Sequence, residues 1–577
     1  MSLSRSRAVA VEDQNRPLVT SRILKMEVLA PFASVPRSTL YTIAPFILIA
    51  LVLSLIRAYT TWNYYRRMRQ INGAPGKPGK TIPPPQIPYT LPYLGNALSF
   101  LNTQPGAYWQ KLFSWHPRSS GACTLLLGGK KTHIVFTPHI VQAIFKNKTM
   151  KRDVFEHELF QKVFSLPDEQ IANAEAGKHH EHEMNAAYLT KFDRVNELTE
   201  TFTRVLDRVL SKDAEEIVKM ESIGLYDWLR DRMFTASTTA LLGEEILKMY
   251  PEYCEDFFGF DQEFLGFFFD LPNIMMRDAI ARRNRILTKL QKWSKAMHDR
   301  SGGSPIDPEG PAWEPLFGSR LNRARQLDYK IRNLNARSAA AFDLGITFGL
   351  SSNVIPATNW MLLHIINPKG DPTLYKRVMA EILKAQNPDG SIHTPTLIAL
   401  PLLQSIWTET LRLYTDVLVT RNLSEDVKLP LDENGKTFIE MKKGDNVFAP
   451  SYIGHHDPEA WSGQDNPSEE FWAERFLSPD PADPSREIFS ITGVNGKFYP
   501  FGGGRTICPG RVFAKQEALG ALAMVLLRFE FEFLGFVDKG GKATDDFVKP
   551  GSNFPGSGAL MPGGDMKVKV SRRQRLN

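Results

Sequence analysis

The chain has 577 residues, 42% of them hydrophobic and 23% charged, a composition that allows a large buried core and excludes a disordered or fibrous polymer. Its formal charge is +7, but residues 1–80 hold 12 Lys and Arg against 3 Asp and Glu, leaving 58 against 60 in residues 81–577; the body is near neutral, and no nucleic-acid partner is expected. Three cysteines, Cys123, Cys254 and Cys508, without a CxxC pair exclude a disulfide framework and a cysteine-rich zinc site.

Residues 1–37 read as a polar N-terminal extension. Residues 38–56, STLYTIAPFILIALVLSLI, carry no formal charge and at about 1.5 Å rise per residue reach roughly the thickness of a bilayer core. The run ends in Arg57 and leads to Arg66, Arg67 and Arg69 rather than to a small-residue cleavage site, which predicts an uncleaved single-pass anchor. More basic residues follow the span than precede it, which places the body in the cytoplasm. Residues 57–96 are basic and proline-rich, ending in PGKPGKTIPPPQIPYTLPYLGN. Repeated proline forbids helix, so this stretch reads as a stiff linker to a single globular domain at 97–577.

In the body, CTLLLGGKKTHIVF predicts a β-hairpin turning at Gly128-Gly129, and helical patterns dominate from about Val195, so the fold class is mainly α with small β-sheets. Seven phenylalanines between Phe257 and Phe269 fit either core or an apolar rim that dips into a membrane. The segment from Ser338 to Pro368 is apolar almost all round and reads as a buried central helix. Within it Pro356 lacks an N–H, so the carbonyl of Ser352 loses its helical partner and a turn opens beside the small Gly349, Ser351 and Ser352. Glu409 and Arg412 stand three apart on one predicted helix, and Phe471-Trp-Ala-Glu-Arg475-Phe476 follows.

Near the C-terminus stands Phe501-Gly-Gly-Gly-Arg-Thr-Ile-Cys508-Pro-Gly510-Arg, followed by VFAKQEALGALAMVLLRFEFEF, which reads as one amphipathic helix with Pro509 at its first position. Cys508 at that helix start is suited to being a thiolate. The glycines present bare backbone against which a flat cofactor can lie. A phosphate cradle would need a GK[ST] sequence, which this run lacks.

This run resembles the haem-ligand signature of the cytochrome P450 family, Phe-x-x-Gly-x-Arg-x-Cys-x-Gly, at Phe501, Gly504, Cys508 and Gly510, with Thr506 where the signature has Arg and Arg505 one place earlier. The variant is similar to the branch of sterol 7α-hydroxylases and prostacyclin synthase. The resemblance implies the cytochrome P450 fold preceded by one transmembrane helix, and haem b with Cys508 as axial ligand. It further implies a buried triad of Glu409, Arg412 and Arg475. Arg421 would reach a haem propionate, and Arg505 is a candidate for the second charge. Aligned on Pro356-Ala357-Thr358 and Trp360, the acid and Thr that most members use on the oxygen side become Ser352 and Asn353, the candidate catalytic pair. Asn353 cannot ionise, so a proton relay would run through water or Ser352.

The expected activity is that of a membrane-bound haem-thiolate monooxygenase acting on a lipophilic small molecule such as a terpenoid, steroid or other secondary metabolite. It would use O2 and electrons from an NADPH-cytochrome P450 reductase, because the chain has no flavin or nicotinamide fingerprint of its own. Two alternatives are a reductase-independent isomerase or dehydratase acting on a peroxide, and a non-catalytic haem protein. The long extension and divergent body resemble fungal secondary-metabolism members of the family.

Overall fold

The computed structural model describes residues 37–73, 79–101, 106–151, 153–176, 178–432, 434–462, 466–551, 556 and 558–573. Most of the polar extension, residues 1–36, lies outside them.

The longest helix is α1, Arg37–Asn72. Its apolar half has the length and composition to cross a membrane and none of it is buried in the body; Phe46, for example, is 72% exposed. The basic residues expected to open a linker at Arg57 instead continue this helix to Asn72, because no proline intervenes before Pro75. Tyr64, Met68 and Ile71 on its last turns are buried against Trp109 and Leu112. Arg57 Nη1 donates to the Pro88 carbonyl at 2.8 Å and Thr60 Oγ1 to that of Tyr89 at 2.9 Å. The proline-rich stretch contributes strand β1, Lys80–Ile82, to a sheet of the body. The boundary expected at residue 96 therefore does not separate a linker from a domain: residues 57–72 and 80–96 are built into the body.

The predicted hairpin is β2, Ala122–Leu127, with β3, Lys130–Val135. Gly128 and Gly129 both have positive φ, 56° and 80°, the tight-turn geometry that glycine adopts without strain. These strands belong to a five-stranded sheet completed by β4, Met150–Lys151, β5, Leu418–Leu423, and β6, Asn446–Pro450, in the order β2-β3-β6-β5-β4.

The helical side is built from α2, Phe192–Ile217, α3, Leu225–Leu242, α4, Tyr253–Phe268, and α5, Arg277–Arg300. Through its centre run α6, Ala336–Ser351, and α7, Val354–Ile366. The predicted central helix is thus two helices with a break at Ser352-Asn353. Pro356 falls in the first turn of α7, where its missing N–H would be without an intrahelical acceptor anyway. Beyond lie α8, Pro401–Leu413, and α9, Arg511–Arg528. One apolar cluster joins α2 to α9, with Trp360, Phe202 and Leu519 among its fully buried members.

Two sequence readings are corrected here. The C-terminal helix begins at Arg511 with Gly510 as its N-cap, two residues later than expected, so Pro509 precedes the helix rather than opening it. It also stops at Arg528: Phe529–Asp538 is strand β7, as the period-2 alternation of FEFEF demands. The phenylalanine-rich α4 turns Phe257, Phe260 and Phe267 into the core. Exposed apolar side chains appear in the loop that follows it, at Ile274 and Met275.

Candidate functional site

A cavity of about 740 Å³ lies between the α6–α7 break, strand β5 and the loop that precedes α9. The floor is the glycine run. Gly502 and Gly504 have φ of 71° and 68°, a region that side chains disfavour. A Cβ at Gly503 would enter the ring of Phe145, and one at Gly504 would meet the Phe145 carbonyl. The loop is therefore pressed onto Phe145 from below while Phe501 to Gly503 face the cavity. Cys508 N donates to the Phe501 carbonyl at 3.0 Å, which closes the loop and brings Cys508 to the cavity wall together with Phe501 and Gly510. Gly504 is the exception among the signature residues: it supports the loop and does not line the cavity.

Arg421 is carried by β5, whose alternation buries Val419, Arg421 and Leu423 on one face. Opposite Val447 in the sheet, its guanidinium turns under the loop. Nη2 donates to Thr506 Oγ1 at 2.9 Å and to the Gly503 carbonyl at 3.3 Å. The threonine that replaces the signature arginine is thus held by an arginine from another strand, and Arg421 and Thr506 both line the cavity. Arg505 sits apart from them, exposed and away from the cavity lining, because the short helical turn Gly504–Thr506 aims it outward.

These residues fit a thiolate-ligated haem. A cysteine, Cys508, reaches the wall, the glycine backbone beside it has no side chains where a flat ring would lie, and the buried Arg421 guanidinium stands near to meet a carboxylate.

Behind the cavity, Glu409, Arg412 and Arg475 come together. Arg412 donates to Glu409 twice, Nε to Oε2 at 2.7 Å and Nη2 to Oε1 at 2.8 Å, and Arg475 Nε reaches Oε1 at 2.9 Å. The side chains of Glu409 and Arg412 are 0% exposed and that of Arg475 is 4% exposed. The remaining guanidinium N–H groups are spent on backbone carbonyls, those of His455 at 2.8 Å and Ser468 at 2.6 Å from Arg412 among them. This ties α8 to the two segments that precede the cysteine loop.

On the opposite wall, Gly349, Ser352 and Asn353 face the cavity and Ser351 does not: it is buried on the other side of the helix. Ser352 Oγ donates back to the Phe348 carbonyl at 2.7 Å and accepts from Asn353 Nδ2 at 3.3 Å. Phe348 is stacked on Phe264 of α4 with centroids 4.6 Å apart, and Phe264 lines the cavity. The wall away from the cysteine thus has an apolar part made by Phe264, Leu265, Phe348 and Leu350, with Asp261, Glu263 and Lys539 also among the lining residues.

Three features escaped the sequence reading. Phe145 under the glycines is one. Another is strand β8, Gly558–Ala559, which pairs with Thr415–Asp416 and lines the cavity. The third is a stack of Trp360 on Tyr414 at 3.9 Å and 2°, continued by a hydrogen bond of 2.7 Å between His364 Nε2 and the Tyr414 hydroxyl. The one local signal for any of them was the glycine-rich GSGAL run at 556–560, which marks a close backbone approach without naming its partner.

Residues 318–554 match the family model described as Cytochrome P450. The chain is 28% identical over 482 residues to the cytochrome P450 monooxygenase calL of Penicillium decumbens, covering 79% of this chain and 87% of that one. It is 27% identical over 570 residues to the cytochrome P450 monooxygenase efuG of Hormonema carpetanum, covering 92% and 96%. With cytochrome P450 7B1 of Mus musculus it shares 27% identity over 477 residues, 78% of this chain and 85% of the other. The matched segment carries the triad, Arg421 and the cysteine loop, and the relatives align well beyond it: the chain resembles cytochromes P450, both fungal monooxygenases and the branch of cytochromes P450 7A1 and 7B1.

Proposed function

We propose that the protein is a membrane-anchored haem-thiolate monooxygenase that inserts one oxygen atom from O2 into a lipophilic small molecule. The observation that carries this reading is Cys508 at the wall of a cavity floored by side-chain-free backbone. The names of the fungal relatives support the reaction class. When bound, the haem supplies oxygen activation, its thiolate ligand favouring O–O cleavage. The overall change is balanced: a C–H bond, O2, two electrons and two protons give C–OH and water. The electrons come from a separate NADPH-cytochrome P450 reductase.

The chain's own residues do the rest. Cys508 would supply the sulfur ligand, and the hydrogen bond from its N–H to the Phe501 carbonyl holds the loop that presents it to the cavity. Arg421 pairs with a propionate while remaining tied to Thr506. Ser352, oriented by the Asn353 amide and the Phe348 carbonyl, is the hydroxyl through which an ordered water can pass protons into the cavity. Phe264, Phe348 and their neighbours exclude water and select an apolar substrate; a terpenoid, steroid or similar polycyclic lipid fits these walls. The apolar half of α1 lies in the endoplasmic reticulum membrane as a single span, with the body on the cytoplasmic side, so that a greasy substrate and the reductase meet at one surface.

Reconstitution with the reductase and 18O2 tests this. The reading requires NADPH-dependent product carrying one labelled atom. Turnover of a hydroperoxide without NADPH, with no label incorporated, would replace it by the isomerase reading.

A further inference from the structure

We propose that Asn353 is a positioning residue that holds the C-terminal wall of the cavity, Gly558–Leu560, against the break between α6 and α7, and thereby sets the size of ligand admitted to the haem face. This rests on the haem-thiolate reading of the cavity and adds a specificity device to it.

Asn353 is the residue that precedes α7, where an asparagine side chain ordinarily caps the helix by accepting from a backbone N–H of its first turn. Here it makes no such bond. Its Oδ1 accepts instead from Ala559 N at 2.9 Å, a residue 206 positions away, while Nδ2 donates to Ser352 Oγ at 3.3 Å. The side chain thus forgoes capping its own helix and is committed to the wall. The approach is close enough to require glycine on the other side: Gly558 has φ of 85°, and a Cβ there would collide with Asn353 Oδ1.

A second contact fixes the same strand to the same helix. Trp360 Nε1, two turns further along α7, donates to the Leu560 carbonyl at 2.6 Å, and Leu560 N donates to the Tyr414 carbonyl at 2.8 Å. Trp360 is stacked face to face on Tyr414, so this second point is rigid. Asn353 is the member of the pair that lies at the cavity, where Asn353, Gly558 and Ala559 all form its surface. On the opposite side of the helix break a Cβ at Gly349 would meet no atom within 4 Å, so the volume over the floor is bounded on one side by open space and on the other by this pinned strand.

The test uses the full-length holoenzyme in detergent. Hydrogen exchange read by mass spectrometry follows the peptide that contains Gly558 to Met561, and imidazole and 4-phenylimidazole are titrated onto the haem by its Soret shift. Asn353→Leu removes the acceptor at similar volume and is expected to speed exchange of that peptide about tenfold or more. It is also expected to raise affinity for 4-phenylimidazole relative to imidazole about fivefold, because the wall moves out. Asn353→Asp, which keeps an oxygen acceptor for Ala559 N at the same place, is expected to stay within about twofold of the parent in both readouts. Gly558→Ala forces the same separation from the other side, and combined with Asn353→Leu it adds little, as coupled residues do. Unchanged exchange in Asn353→Leu and Gly558→Ala, or Asn353→Asp failing as Asn353→Leu does, would overturn the proposal. If Asn353→Leu does not fold, Gly558→Ala carries the same readouts. Loss of the haem-thiolate reading would show separately, as a parent protein without a thiolate-type reduced carbon-monoxide spectrum.

Discussion

At the scale of single residues the site depends on groups that cannot be exchanged for near neighbours. Among the described residues Glu409 is the carboxylate that pairs with both Arg412 and Arg475, and neutralising it takes that counter-ion from the buried Arg412. Breaking a buried pair on one side costs about 3–5 kcal/mol. Glu409→Gln is therefore expected to lower the unfolding midpoint sharply and to abolish recovery of haem-loaded protein, measured by thermal unfolding and by the haem-to-protein absorbance ratio. Gly504→Ala acts differently: it places a side chain at φ of 68° and drives it into the Phe145 carbonyl. Strain of this kind costs about 1–3 kcal/mol, and it falls in the cysteine loop, so the expected result is a folded protein with weakened haem retention in a competition assay against apomyoglobin. The Glu409–Arg412 spacing and the cysteine run could be read locally, whereas the joining of Arg475 to that pair was implied by the resemblance alone, since it lies 63 residues beyond Arg412. Arg421 was placed by resemblance alone, and its hydrogen bond to Thr506 could not be read, because those partners are joined only when a strand folds over the loop. Arg505, equally basic and adjacent to the signature, points to solvent; residue type did not separate it from Arg421, and the direction of the turn did.

At the scale of elements, the break at Ser352-Asn353 and the strand it holds define the cavity. Pro356 is the cause visible in the sequence. Pro356→Ala restores an N–H that can reach the Ser352 carbonyl, and a continuous helix gains a hydrogen bond worth about 0.5–1.5 kcal/mol. The variant is expected to be slightly more stable and less active, with slower exchange at Ser352–Ala357 and more NADPH consumed per product. Element ends were less legible than element cores. The final helix was read through FEFEF because its apolar content continues, although the period changes from helical to alternating at Phe529. The linker was read as separate from the body because proline was counted and burial was not: Tyr64, Met68 and Ile71 look like the tail of a basic anchor until Trp109 and Leu112 are brought against them. Short strands such as Gly558–Ala559 have almost no sequence signal, since two residues cannot show a period.

For the whole molecule, the packing of the last turns of α1 makes that helix and the body one unit. A chain lacking residues 1–56 keeps Tyr64, Met68 and Ile71 and is expected to fold and to leave the membrane fraction more readily. One lacking residues 1–72 uncovers their partners, forfeits about 1.5–3 kcal/mol for each buried side chain, and is expected to aggregate; size-exclusion profiles in mild detergent distinguish the two.

Global stability should also depend on pH in a direction set by buried acids. Burial pushes Glu517 up to about 8 despite the Ser237 hydroxyl that donates to it, and pushes Asp416 up to about 7. The folded values lie above those of the unfolded chain, so the stability they contribute is present at low pH and is lost as pH rises through about 7–8. Burial lowers His364 and His456 to about 3, which works in the opposite sense: their contribution is lost as pH falls below the ordinary histidine range. The unfolding midpoint is expected to decline from pH 6 to pH 9, and Glu517→Gln, which retains an acceptor for Ser237, to flatten that decline.

The basic excess of the chain belongs to the N-terminal region around a helix that can span a membrane, and the near-neutral body encloses a cavity with the Cys508 thiol group at its wall. The most direct test of that assignment is the reduced carbon-monoxide difference spectrum of the full-length protein beside that of Cys508→Ala. A thiolate-type Soret band in the parent, absent from the variant together with NADPH-dependent turnover, is the expected result. The same band surviving in Cys508→Ala, or a parent protein that binds no haem, would contradict the account.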